Sequence, residues 1–135
     1  MYGDAMQGLH LTADLHGCAP PQSLLADPQA LLALCLAAVA ASGLQAVGEL
    51  FHRFPAPGGV TGVVLLAESH LAVHTWPELG AVTLDVYVCN LQGDNSARAE
   101  GLLQALAAAF CPRQTEVQRL WRGTQAPVAR DMRCP

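Results

Sequence analysis

Apolar and polar positions change their spacing several times along this 135-residue chain, and each change marks an element. Residues 8–16 (GLHLTADLH) alternate in part and predict a first strand. A proline-containing loop runs from Cys18 to Ala26. Asp27 and Pro28 then predict a helix start, because a carboxylate can cap free N–H groups and proline loses nothing where no N–H is needed. Leu31, Leu34, Cys35, Ala38 and Val39 follow at helical spacing and give the buried stripe of a helix reaching about Ser42, with Gly43 placed to end it.

Strand patterns follow at about 45–53 and 60–68, joined by the turn-rich Pro55-Ala56-Pro57-Gly58-Gly59. Residues 71–76 and 81–89 read as another pair, with Pro77-Glu78-Leu79-Gly80 turning between them. A second helix is predicted from Asp94 or Asn95. Its apolar residues Ala99, Leu102, Leu103, Leu106 and Phe110 keep the i, i+3, i+4, i+7 rhythm until Pro112 stops it. Residues 115–121 give a last strand. The order is βαββ then ββαβ, without a residue-level repeat. Hairpin connections imply an antiparallel sheet with both helices on one face, a two-layer α+β sandwich. The other sheet face carries little charge and is expected to need a partner.

Length suits one domain, expected over 1–122, with 123–135 as a flexible tail. Composition narrows the partners: 52% of residues are apolar, only 13% are charged, and net charge is −4. That balance argues against nucleic acid, which needs clustered cations. The apolar run 29–44 is interrupted by Gln29 and Ser42 and is short for a bilayer span, so no membrane segment is expected. Met1 to Gly8 has no basic region of the kind that opens a signal peptide. Five cysteines without a CxxC fit a reducing cytoplasm better than a disulfide framework. The chain has no lysine, which excludes chemistry on a lysine amine.

Reactive side chains concentrate in residues 59–90, where Thr61, Glu68, Ser69, His70, His74, Glu78, Asp85 and Cys89 stand. On a strand His70 and His74 lie about 13 Å apart, and no third ligand follows in a recognisable spacing, so no metal site is expected. Ser69 lacks the G-x-S-x-G turn of a hydrolase nucleophile. By themselves these side chains read better as ordinary strand residues, with Cys89 a buried thiol.

The whole string decides between those readings. Glu68-Ser69-His70 followed by His74-Thr75-Trp76-Pro77-Glu78 resembles the ESH…HTWPE signature of the small prokaryotic S-adenosylmethionine decarboxylases. Gly8-x-His10-Leu11 with Asp14-Leu15 and Cys18, Phe51-His52-Arg53-Phe54 before Gly59-Val60-Thr61-Gly62, and Asp85 with Cys89 resemble flanking parts of the same family, over about residues 8–110.

The resemblance implies a self-processing enzyme. Ser69 would attack the Glu68 carbonyl, the chain would split into 1–68 and 69–135, and Ser69 would become a covalent pyruvoyl group. That carbonyl would draw electrons from an amino-acid-type substrate as CO2 leaves. Pyridoxal phosphate serves this purpose elsewhere, but it needs a lysine. The resemblance makes His74 the base that removes the Ser69 Cα proton and Thr61 the hydroxyl that holds the carbonyl oxygen, where many relatives carry serine. Cys89 becomes the proton donor, and Phe54, Leu71 and Glu78 contact substrate. The expected reaction converts S-adenosylmethionine to an aminopropyl donor for polyamine synthesis, in a homodimer of cleaved protomers. Relatives often read EYGYAA where this chain has Glu78-Leu79-Gly80-Ala81-Val82-Thr83. Loss of two tyrosines there keeps L-ornithine or L-arginine open as substrates, and a non-catalytic regulatory relative is the alternative of another kind. Because side chains alternate along a strand, Ser69 and His74 would face opposite ways, so a bend or bulge is predicted just after Ser69.

Overall fold

The computed structural model describes residues 7–123. Gly123, expected to open the flexible tail, instead ends the last strand, and the rest of that tail, 124–135 with Cys134, lies outside the described residues. Six strands and two helices follow in the order β1 (Gln7–His16), α1 (Pro28–Ser42), β2 (Ala46–Arg53), β3 (Val60–Leu66), β4 (Ser69–Trp76), β5 (Ala81–Cys89), α2 (Ser96–Ala109) and β6 (Gln114–Gly123). Short 3-10 turns occupy Gln22–Leu25 and Pro77–Leu79. The strands form one sheet in the order β2-β3-β4-β5-β1-β6, antiparallel throughout. The α+β sandwich expected from the sequence is therefore present.

Helix α1 begins as predicted: the Asp27 carboxylate accepts the Gln29 N–H at 2.9 Å, and Gly43 ends the helix at φ 86. Its stripe buries Leu31, Cys35 and Val39, while Leu34 and Ala38 pack partly buried beside them. Helix α2 buries Ala99, Leu102, Leu103 and Leu106, and Phe110 closes its end fully buried. α1 lies against β2 and β3, α2 lies against β5 and β1, and the two helices touch. Beneath them the sheet contributes alternate residues, among them Leu11, Val64, Leu71, Val73, Leu84 and Val86, each at 0% exposure. Each such aliphatic side chain contributes about 1.5–3 kcal/mol by leaving water. Gly62 pairs with Phe51 across β2–β3, and the Phe51 ring occupies the space a Cβ would need there.

Two expectations need correction. The third strand stops at Leu66 and the fourth begins at Ser69, so only Ala67 and Glu68 connect them. The predicted bend after Ser69 is absent. β4 is an interior strand whose register runs without a break on both sides, from Thr61↔His74 to Leu66↔Ser69 and from His70↔Tyr87 to Trp76↔Ala81. Two neighbouring ladders leave no room for an extra residue. The irregularity sits one position earlier, where Glu68 takes a left-handed φ of 56.

Candidate active site

The β3–β4 turn brings Glu68 and Ser69 to one end of the sheet. There the Cys89 N–H donates to Ser69 Oγ at 3.1 Å, which fixes the hydroxyl beside the end of β5. Asn95 Nδ2 donates to the Cys89 carbonyl at 3.0 Å, and the Leu91 N–H reaches Cys89 Sγ at 3.5 Å. Glu68, Ser69, His70, Tyr87 and Arg122 line a hollow of about 350 Å³. His70 stacks on Tyr87 with ring centroids 5.7 Å apart, and the Arg122 guanidinium lies 5.9 Å from the Tyr87 centroid. His10 extends this cluster, its Nε2 3.5 Å from Asp85 Oδ2. Partial burial holds His70 below the ordinary histidine range, with the neighbouring His10 adding to that effect and Asp85 opposing it.

The other end of β4 holds a second group. Thr61 Oγ1 is 3.1 Å from His74 Nδ1, and the His74 ring stacks on Trp76. Phe54, Thr61, His74, Trp76 and Glu78 line a hollow of about 170 Å³. Thr75 anchors this end from the buried side, since its hydroxyl accepts the Val60 N–H at 2.9 Å and donates to Leu25 O at 2.7 Å. Glu78 stands in the short turn Pro77–Leu79, which Gly80 closes at φ 60.

The two groups are far apart within one protomer. Ser69 and His74 are five residues apart on a regular strand, about 16 Å, and alternation sends their side chains to opposite faces. Ser69 and Cys89 therefore meet, Thr61 and His74 meet, and the two pairs do not. Leu71, expected at the substrate, is fully buried, with its side chain in the core. Sequence reasoning missed Tyr87, Arg122 and Thr75, and it gave His10 no role at the site. His10, His70 and Tyr87 come from three strands, and only the order β4-β5-β1 puts them together. A threonine between a histidine and a tryptophan gave no sign of burial beyond its place in the alternation. Among the described residues no group of three or more His, Cys, Asp or Glu side chains is placed to hold a metal ion, and no helix is long and apolar enough to cross a membrane.

Residues 9–123 match the family model described as S-adenosylmethionine decarboxylase. The chain belongs to that family. It is similar to the S-adenosylmethionine decarboxylase proenzyme of Pyrococcus furiosus, 35% identical over 118 residues that cover 87% of this chain and 80% of the relative. The proenzyme of Picrophilus torridus is also 35% identical, over 87% of this chain and 85% of its own length. The crystal structure of the adenosylmethionine decarboxylase from Aquifex aeolicus superposes with a TM-score of 0.79 at 33% identity, covering 90% of this chain and 95% of that one. Membership makes this chain a carboxy-lyase family member on the expected fold.

Proposed function

We propose that the chain cuts itself at Glu68–Ser69 and decarboxylates S-adenosylmethionine as a homodimer in which each site draws residues from both protomers. The separation of Ser69 and Cys89 from Thr61 and His74 along β4 carries this reading. A two-fold pairing of open sheet faces can set one end of β4 beside the other end of its copy. The open face supports such a pairing: Leu50, Leu65 and Leu120 stand on it at 77%, 51% and 56% exposure. Apolar surface of this kind marks an interface.

In the cleavage, Ser69 Oγ attacks the Glu68 carbonyl carbon and the amide becomes an ester. The second protomer's Thr61 hydroxyl steadies the carbonyl oxygen, and its His74 takes the Ser69 Cα proton as the Glu68 carboxylate leaves. Residue 69 is then a dehydroalanine; it takes up water and loses ammonia, which leaves a pyruvoyl group at the head of 69–135. The residues fit this group, since Ser69 sits at the rim of a hollow with its side chain held by a backbone N–H. When formed, it supplies a carbonyl that draws electrons as CO2 departs. Cys89, beside residue 69, returns a proton to the product. Phe54 and Glu78 of the second protomer receive the nucleoside end, an aromatic face for the base and a carboxylate for the ribose. The relatives are named for S-adenosylmethionine, and no observation favours ornithine or arginine. The proposed setting is the cytoplasm, where thiols stay reduced.

Mixed dimers of Ser69→Ala and His74→Asn chains test the shared site. In such a dimer the His74→Asn chain keeps its own Ser69 and meets an intact His74, so one of the two chains in each mixed dimer should split. If His74 acts on its own chain, the mixture stays uncut. Release of CO2 from S-adenosylmethionine, compared with ornithine and arginine, tests the substrate.

A further inference from the structure

Two cysteines outside this chemistry lie at the far end of the sheet. The chain leaving β1 and the chain entering β6 run side by side there. The Arg113 N–H donates to His16 O at 2.9 Å, and the Ala19 N–H reaches both Phe110 O at 3.2 Å and Cys111 O at 3.3 Å. Cys18 and Cys111 fall within these two bracketing contacts. Segments joined in this way run about 4.8 Å apart, and a disulfide needs Cα atoms about 4.4–6.8 Å apart. Cys111 also occupies an unusual backbone position. It follows the last cap of α2 in a left-handed conformation, φ 48, where glycine is the common choice. That conformation leaves its thiol exposed, whereas Cys18 is partly buried. Burial raises the Cys18 thiol above its ordinary range, and the neighbouring Cys111 raises it further, so the two sulfurs sense each other.

We propose that Cys18 and Cys111 form a reversible disulfide, a thiol switch opened and closed by low-molecular-weight disulfides such as oxidised glutathione. The exposed Cys111 thiolate attacks one sulfur of the small disulfide and expels one small thiolate. Cys18 loses its proton to solvent, attacks the Cys111 sulfur and expels the second. Two protein thiols and one small disulfide become one protein disulfide and two small thiols, so electrons balance. The bond would brace the substrate end of the sheet as well, because the Cys18 N–H donates to Gly80 O at 2.8 Å, directly after the turn that carries Glu78. One consequence rests on the cleavage proposed above: Cys18 lies in 1–68 and Cys111 in 69–135, so the disulfide would tie the two product chains together.

The test equilibrates the full-length protein in graded ratios of oxidised to reduced glutathione, quenches it in acid, and alkylates it in denaturant with N-ethylmaleimide. Reduced protein should take five adducts, matching its five cysteines. Oxidised protein should take three, with a tryptic cross-link joining peptide 1–53 to peptide 99–113. Cys111→Ser, at an exposed position, should abolish that cross-link, and Cys18→Ser should do the same. Five adducts at every ratio, or a cross-link mapping to another pair, overturn the proposal. Cleavage is read separately, by whether reductant splits the oxidised protein into two bands on a denaturing gel. Uncut protein carrying the cross-link would sink the cleavage reading and leave the disulfide standing.

Discussion

The backbone N–H of Cys89 holds the hydroxyl of Ser69 at 3.1 Å, so the β4 residue proposed to react is positioned by the end of β5. The contact uses the Cys89 main chain and leaves its thiol free for another task. Ser69→Ala should remain a single 14.2 kDa chain by mass spectrometry. Cys89→Ala keeps the N–H, so it should still split, while kcat falls about 10²- to 10⁴-fold with loss of a positioned proton donor. Full activity in Cys89→Ala would remove the thiol from the mechanism.

Glu68 holds its left-handed φ of 56 in a two-residue connection, directly before the bond to be cut. That conformation costs a non-glycine residue about 1–2 kcal/mol, and the proposed cleavage would relieve it. Glu68→Gly removes the cost in the uncut chain and should slow splitting about 5- to 30-fold relative to Glu68→Ala, which keeps it. Equal rates in a quenched time course would show that the turn stores nothing used in the reaction.

Open-face leucines give a third expectation. Leu50→Glu and Leu65→Glu alter exposed side chains and leave the core untouched. Each should shift the protein toward monomer in analytical ultracentrifugation and stop splitting in proportion. A monomer that still splits at the normal rate would contradict the shared site.

Thr75 is nearly buried, at 4% exposure, and its hydroxyl satisfies both Val60 N–H and Leu25 O. Thr75→Val keeps the shape and leaves both partners unpaired. Denaturant unfolding should show a loss of about 1–3 kcal/mol.

His70 predicts the direction of acid sensitivity. Its folded pKa lies below the unfolded value of 6.5, chiefly through burial. As pH falls through that unfolded value the unfolded chain takes up the proton first, so stability drops on acidification and stops dropping below the folded pKa. The groups around it are His10, Asp85, Tyr87 and Arg122. His70→Asn should flatten the decline in melting temperature below pH 6.5. An unchanged slope would remove His70 as its source.

Local signals made the fold legible. Asp27-Pro28 and Gly43 bounded α1 because caps act over a few residues, and the stripe of α2 was complete in its own segment. The β3–β4 connection was misjudged because Ala67-Glu68 contains none of the residues that usually announce a two-residue turn. At the site, Ser69, His74 and Cys89 were found through a long shared string, yet their spacing hid the division between the two ends of β4. Tyr87 and Arg122 gain their place from strand order, a non-local property that no window of sequence contains.

That order also sets the fate of a severed chain. Residues 1–68 carry β1, β2 and β3, whereas 69–135 carry β4, β5 and β6, and β1 is threaded between β5 and β6. Three of the five ladders, β3–β4, β5–β1 and β1–β6, therefore run between the pieces. A nick at residue 68 releases one turn and no strand. Neither fragment owns a contiguous sheet to fold on alone, so under the proposed cleavage the fold would be complete before the cut, which would edit a finished molecule.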